Sequence, residues 1–268
     1  MNEQKFESQK YPQFNIETIK TKEGNEISYN VERGGIITGI GFDKDNKIVQ
    51  VLYLDQETFN NSNKNVRGGV PVLFPYAGPI ENLPQHGFAR IKKWKSENYE
   101  NGFIGTLKSD DSTKETYPYD FILTINGKFE KDESFSIIQS VKNLEKDKEM
   151  PVSFGLHPYF KVAHDLKKDI KFDFEGGKLI EEQVDVWSND GTTSIDNLGI
   201  PMRIEIPGLG VLILNVSKEY KKIWIWSKPG EDFICIEPVM RDEGGFVDDP
   251  ENIKPEDTYS ASFNIKLE

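Results

Sequence analysis

The segment KKIWIWSKPGEDFICIEP, residues 221–238, decides the fold class. Its two arms, IWIW and FICI, are apolar at every position, and the turn KPGED between them is polar and contains both proline and glycine. Short apolar runs on either side of such a turn predict a β-hairpin. Arms that are apolar on both faces are typical of central strands buried between two layers. We therefore expect this hairpin near the middle of a sheet.

The rest of the chain repeats the strand pattern. In TYSASFNIKLE, residues 258–268, apolar and polar side chains alternate, which predicts a strand with one buried face. A second hairpin is predicted over residues 119–143, where YDFILTINGKFE and FSIIQSVKN flank a polar turn. No long stretch shows helical periodicity. The sequence thus predicts a single all-β domain over residues 1–268, a large antiparallel β-sandwich with few short helices and a concave face for a small ligand.

Charge and composition exclude several classes of partner. The formal net charge is −12 and the pI is about 4.9, which disfavours binding to a nucleic-acid backbone. No apolar run approaches the roughly 20 residues of a membrane helix, so we expect no membrane partner. Residues 1–14 lack the apolar core of a secretory signal, and Cys235 has no second cysteine with which to form a disulfide. These features favour a cytoplasmic protein.

An irregular segment, residues 67–90, is the first candidate for a site. It reads RGGVPVLFPYAGPIENLPQHGFAR, and loops of this length in compact domains are often functional. Arg67 and Arg90 fit either surface ion pairs or a small anion site. His86 precedes Gly87, and a glycine allows backbone or ligand to approach closely.

The segment PVSFGLHPYF, residues 151–160, contributes a second histidine. His157 lies in an apolar run, so by itself it fits a hydrogen-bonded core residue as well as an acid or base. Tyr159 and Phe160 fit core aromatics, or else flat apolar faces on which a sugar can stack. The sequence of this segment alone leaves these alternatives open.

Two carboxylates complete the candidates. Glu237 ends the apolar strand FICIEP, just before Pro238 interrupts the ladder. Partial burial there would raise its pKa towards the range of a general base, whereas a strand end that reaches solvent would leave an ordinary surface glutamate. Asp196, in TTSIDNLGIP, has the composition of a turn residue.

Four blocks of sequence together point to a family. RGGVPVLFPYAGP, QHGFAR, MPVSFGLHPYF and FICIEP, in that order, resemble the aldose 1-epimerase (galactose mutarotase-like) superfamily. The similarity is greatest to its shorter branch, which includes the hexose-6-phosphate mutarotases. The resemblance implies a β-supersandwich that holds a sugar on its concave face.

The resemblance also implies catalytic roles. Glu237, in CIEP, matches the general base of the family. His157, in GLHPYF, matches the general acid, and His86, in QHGFAR, matches an assisting histidine.

Further positions are implied to bind substrate. Arg67 and Arg90 match arginines that hold the phosphate in the sugar-phosphate members. Asp196 is the better match to a substrate-contacting aspartate, with Asp190 as its competitor, and Tyr159 is expected beside the sugar.

The implied activity is interconversion of the α and β anomers of an aldohexose or hexose 6-phosphate. Ring opening and reclosure need one acid and one base on opposite sides of the C1–O5 unit, and no cofactor or metal. We expect a sugar or sugar phosphate as the small-molecule partner, and a monomer or weak dimer.

Two alternatives remain at this point. A carbohydrate-binding or regulatory protein could share the fold without turnover. A glycoside hydrolase could use Glu237 with Asp242 or Glu243. No short-range spacing such as H-E-x-x-H supports a metal hydrolase.

Overall fold

The computed structural model describes residues 14–268, which are predominantly β-strand. Residues 1–13, on which the prediction about a secretory signal mainly rests, lie outside the described residues. The strands, in chain order, are β1 Glu17–Lys20, β2 Glu26–Asn30, β3 Ile36–Lys44, β4 Lys47–Gln50, β5 Val72–Leu73, β6 Lys95–Tyr99, β7 Gly102–Lys108, β8 Phe121–Phe129, β9 Phe135–Asn143, β10 Met150–Val152, β11 Gly155–Leu156, β12 Tyr159–Lys161, β13 Lys171–Asp173, β14 Thr192–Asp196, β15 Met202–Ile206, β16 Gly210–Val216, β17 Lys222–Trp226, β18 Phe233–Val239, β19 Glu251–Ile253 and β20 Thr258–Leu267.

The helices of this region are short. They are α1 Gln56–Asn60, α2 Asp111–Lys114, α3 Gly177–Glu182, α4 Val184–Trp187 and α5 Gly245–Asp248, with 3₁₀ turns at Ala89–Ile91 and His164–Asp169. Over residues 14–268, none of them has the length and apolar character needed to cross a membrane.

The strands form two large sheets and two small ones. The large sheets have the orders β13-β15-β16-β20-β9-β8-β7-β6 and β14-β17-β18-β11-β5, with β12 paired to β18 beside β11. The small sheets are β1-β2-β3-β4 and β10-β19. Neighbouring strands pair antiparallel in both large sheets. The prediction of an antiparallel all-β fold with few short helices is therefore confirmed.

Both predicted hairpins are present. β8 and β9 pair from Phe121↔Asn143 to Phe129↔Phe135, and β17 pairs with β18 in a register that sets Trp224 opposite Glu237. Every residue of β18 is buried, as expected for a central strand.

β18 does not end at Glu237, contrary to the prediction. It continues through Pro238 to Val239. The backbone N–H groups of Ile236 and Met240 donate to the Pro158 and Phe154 carbonyls, so the nitrogen of Pro238 faces the same side. That side is the break between β11 and β12, where no ladder bond requires a donor.

The alternation along β17 and β18 separates the core from the site. Ile223, Ile225, Ile234 and Ile236 join the main hydrophobic core, which also contains the inward side chains of β8, β9 and β20. The intervening residues Trp224, Trp226, Cys235 and Glu237 therefore face the opposite side of the sheet. A buried carboxylate and two indole rings thus occupy the sheet face that points away from the core.

Candidate active site

A cavity of about 480 Å³ lies on this outer face of the six-stranded sheet. The volume is in the range of small-molecule sites. Six of the residues selected from the sequence line it, namely Arg67, His86, Arg90, His157, Tyr159 and Glu237. Residues that are 170 positions apart in the chain are therefore brought to one cavity.

Glu237 and His157 lie side by side on the cavity wall. Glu237 is held by β18, and His157 occupies the break between β11 and β12, where its backbone N–H donates to the Pro71 carbonyl at 3.1 Å. The distance from His157 Nε2 to Glu237 Oε1 is 3.5 Å, and both side chains are almost fully buried. The two groups are thus neighbours on one wall, and the expectation that they lie on opposite sides of the C1–O5 unit is wrong, because 3.5 Å leaves no room for that unit between them.

Burial moves the pKa of each member of this pair towards its neutral form. Loss of solvation raises the pKa of Glu237 well above its usual value, against an opposing effect of the Arg90 charge. Burial lowers the pKa of His157 well below its usual value, and the charges of His86 and Arg90 act in the same direction. His157 Nδ1 and Glu237 Oε2 have no hydrogen-bond partner within residues 14–268.

His86 is fixed by the backbone around it. It has a left-handed φ of 64°, and the next residue, Gly87, has a φ of 70°. A Cβ at Gly87 would lie 2.0 Å from the Phe74 carbonyl oxygen, so the predicted close approach is made by backbone. The Gly78 N–H donates to His86 Nδ1 at 3.0 Å, which places the ring proton on Nε2.

The electrostatics of His86 favour a neutral ring. Burial, assisted by the charge of Arg90, lowers its pKa to about 3. Its ring meets the His157 ring edge-on, with 5.4 Å between centroids. His86 therefore offers the cavity an N–H donor at neutral pH, not an acidic proton.

The two arginines differ in their partners. Arg67 Nη1 donates to Glu231 Oε1 at 2.9 Å. Arg90 Nη2 donates to the Gln85 carbonyl at 2.9 Å, and within residues 14–268 no carboxylate oxygen forms an ion pair with it. Burial lowers the pKa of Arg90, although Tyr159 and Glu237 oppose that shift. Arg90 is thus the cation of the cavity whose charge is not matched by a close carboxylate.

The structure does not bring Asp196 to the cavity. The segment predicted as a turn is strand β14, and Asp196 at its end is exposed and ion-paired with Lys222 at 2.8 Å. Asp190 lines the cavity instead, and accepts a hydrogen bond from Trp226 Nε1 at 3.1 Å. Its φ of 71° belongs to the tight turn before β14. Asp190 is the aspartate that can meet a ligand.

The aromatic residues of PVSFGLHPYF separate in the structure. Tyr159 stacks on the His157 ring, with 4.6 Å between centroids and 7° between planes, and the residue is only 6% exposed. Phe160 is part of the main core. Tyr159 therefore supports His157 more than it offers a free face to a sugar.

Both tryptophans of the lining were missed as site residues in the sequence analysis. Trp224 and Trp226 appear there only as strand residues, yet both line the cavity. Glu243, considered there only as a partner of Glu237 in a hydrolase, lines it as well. Trp226 meets the His157 ring edge-on at 5.8 Å. The sequence contained the information needed to find them. Side chains alternate between the two faces of a strand, and every second residue of one strand shares its face with every second residue of the hairpin partner.

The sequence model of the family described as aldose 1-epimerase matches residues 18–203. The chain belongs to the aldose 1-epimerase family. A Salmonella typhimurium protein named "Putative glucose-6-phosphate 1-epimerase" is 35% identical over 121 residues, which are 42% of this chain and 39% of that protein. An Escherichia coli protein of the same name is 31% identical over 153 residues, 54% of this chain and 49% of the relative. These alignments span less than half of either relative.

Solved structures extend the similarity of fold to nearly the whole chain. The Slr1438 protein from Synechocystis sp. PCC 6803 has a TM-score of 0.82 at 23% identity, over 96% of this chain and 97% of that one. A galactose mutarotase related enzyme from Lactobacillus acidophilus has a TM-score of 0.72 at 19% identity, over 95% and 97% of the two chains. At these identities the comparison establishes the fold of this aldose 1-epimerase family member.

One group of side chains has the composition of a metal site. His157, Cys235 and Glu237 each bring a ligand atom to within 4.8 Å of the other two, and all three are buried. The positive charge of Arg90 acts on both His157 and Glu237, and burial raises the pKa of the Cys235 thiol well above its usual value. Both effects disfavour a cation at this position. The side chains of His157 and Glu237 are instead suited to proton transfer.

Proposed function

We propose that the protein is an aldose 1-epimerase that interconverts the α and β anomers of an aldohexose or hexose 6-phosphate. The observation that carries the proposal is the buried pair of Glu237 and His157, 3.5 Å apart on the wall of the cavity. A carboxyl group and an imidazole at this separation can serve two neighbouring oxygens. The anomeric oxygen O1 and the ring oxygen O5 are such neighbours, because both are bonded to C1.

The proposed opening step moves two protons. Glu237 takes the proton of the anomeric hydroxyl, His157 delivers a proton to O5, and the C1–O5 bond breaks to give an open-chain aldehyde. Rotation about C1–C2 presents the other face of the carbonyl, and the reverse transfers close the ring as the other anomer. Each positioned proton-transfer group contributes roughly 10²–10⁴-fold to the rate.

Burial of the pair affects the beginning and the end of this step differently. Opening begins with a carboxylate and an imidazolium and ends with a protonated Glu237 and a neutral His157. Burial favours those neutral forms, so before a sugar binds the one proton of the pair is favoured on Glu237, and it must pass to His157, 3.5 Å away, before this order of transfers can begin. The number of protons on the pair and sugar together is constant throughout.

Neighbouring side chains can orient the sugar. His86, with its proton on Nε2, can donate to a sugar oxygen, and Asp190 can accept from a hydroxyl. Trp224 and Trp226 offer apolar surface beside the catalytic pair. Arg90 can bind a phosphate, and the names of the Salmonella typhimurium and Escherichia coli relatives agree with a phosphorylated hexose.

The test is anomer exchange measured by NMR saturation transfer on equilibrated glucose, galactose and glucose 6-phosphate. The proposal predicts enzyme-dependent transfer of saturation between the α and β anomeric signals of at least one of these sugars. Binding of one of them with no exchange of any would contradict the proposal and favour a carbohydrate-binding protein. Release of reducing sugar from aryl glycosides would favour hydrolysis.

A further inference from the structure

The side chain of Arg67 is shared between the cavity and a carboxylate beside it. Arg67 lines the cavity, but its guanidinium donates to Glu231 Oε1 at 2.9 Å. Glu231 belongs to the turn between β17 and β18 and does not line the cavity. The Tyr53 hydroxyl donates to the second oxygen, Oε2, at 3.2 Å. Both oxygens of the Glu231 carboxylate are therefore engaged.

The turn that carries Glu231 is itself anchored. The Gly230 N–H donates to His164 Nδ1 at 3.2 Å, and the buried Lys167 ammonium donates to the Lys228 carbonyl at 2.9 Å. These contacts fix the residues on both sides of the turn to the 3₁₀ turn His164–Asp169. Glu231 is thus held beside Arg67 by the fold as well as by the ion pair.

The position of Glu231 has an electrostatic consequence. It offsets part of the charge of Arg67 on the cavity side, and leaves Arg90 as the cavity cation that has no carboxylate partner. A phosphate dianion that reached Arg67 would also meet the Glu231 carboxylate, whereas a neutral hydroxyl would not be repelled. A residue outside the cavity can therefore determine how strongly the cavity prefers neutral hexoses to charged ones.

We propose that Glu231 is a specificity-determining residue, which acts through Arg67 to weaken the binding of phosphorylated hexoses relative to neutral ones. This inference rests on the proposed function, because it assumes that the cavity binds a hexose. Glu231 is a positioning residue and has no contact with the reacting atoms. The side chains of Arg67 and Glu231 are 31% and 28% exposed, so solvent screening makes the effect moderate.

The experiment compares wild type with Glu231→Gln, in which the amide oxygen can still accept from Arg67 while the charge is gone. Binding of glucose 6-phosphate and of glucose is measured by calorimetry, together with kcat and KM for anomer exchange. We expect the affinity for glucose 6-phosphate to rise about three- to tenfold, its KM to fall by a similar factor, and kcat and the affinity for glucose to stay unchanged. The gain should shrink at high ionic strength.

Glu205→Gln is the matched control. Glu205 is exposed on β15 and does not line the cavity, so this variant makes the same change in net charge at a distance and should leave both affinities as in wild type. An unchanged or lower affinity of Glu231→Gln for glucose 6-phosphate, or an equal gain in Glu205→Gln, would overturn the inference.

The two proposals fail in different ways. Exchange in wild type with no shift of the phosphate preference in Glu231→Gln refutes the inference alone. A shifted binding preference with no exchange in either protein refutes the epimerase activity and supports the role of Glu231. Absence of binding of both sugars to both proteins refutes both.

Discussion

The backbone N–H of Gly78 donates to Nδ1 of the buried His86, and burial, assisted by the charge of Arg90, holds the imidazole in its neutral form. The pKa of His86 is about 3 in the folded protein and near 6.5 in the unfolded chain. The unfolded chain therefore binds more protons between these values. Stability from His86 is fully present above pH 6.5 and is lost as the pH falls towards 3.

The first prediction concerns His86→Asn. Asparagine tolerates the left-handed backbone, and its amide oxygen can accept from Gly78, so the fold is retained at pH 7. Between pH 7 and pH 5, wild type should lose about 2 kcal/mol more of its free energy of unfolding than the variant. Urea unfolding at the two pH values measures the difference. Equal losses in the two proteins would show that His86 is not buried in its neutral form.

A second prediction concerns the backbone under His86. Gly87→Ala places a Cβ where the Phe74 carbonyl lies, 2.0 Å away, and keeps a φ of 70° that alanine resists. We expect a loss of at least about 2 kcal/mol in the free energy of unfolding. Gly208→Ala is the control, because Gly208 has a φ of 80° with nothing within 4 Å of its Cβ position. The control variant should lower the free energy of unfolding by about 1 kcal/mol. Similar losses in the free energy of unfolding for the two variants would mean that the backbone at Gly87 can move away from the Phe74 carbonyl.

The third prediction separates the two aspartates. Asp190→Gly removes the carboxylate, and glycine accepts the φ of 71° without strain. The KM for anomer exchange should rise about tenfold or more, because a charge-assisted hydrogen bond to a sugar hydroxyl is lost. Asp196→Ala, which removes an exposed partner of Lys222, should leave KM within about twofold of wild type. The reverse pattern would restore Asp196 as the residue that contacts the substrate.

The fold was predictable from the sequence because its signals are local. Apolar arms around a polar turn predicted the β17–β18 hairpin, and alternation predicted β8, β9 and β20. The end of β18 was not predictable in this way. Pro238 is tolerated because the chain opposite it breaks between β11 and β12, and that break depends on tertiary structure.

The site was predictable in part, because some of its residues lie in short local motifs. His157, Glu237 and His86 were selected from short motifs, and the structure brings them together. Asp196 was misplaced because its turn-like composition covers a strand, and nothing local shows that Asp190 accepts from Trp226. The pairing of Arg67 with Glu231 joins residues far apart in the chain, so no sequence motif predicts it.

The central claim is that Glu237 and His157 together move the protons of ring opening, and Glu237→Gln tests it most directly. Glutamine keeps the shape of the buried side chain and cannot take the anomeric proton. Saturation transfer on a sugar that wild type exchanges should show a rate at least about 10²-fold lower, with the circular dichroism spectrum and the sugar affinity near those of wild type. Exchange at the wild-type rate by the folded variant would contradict the account.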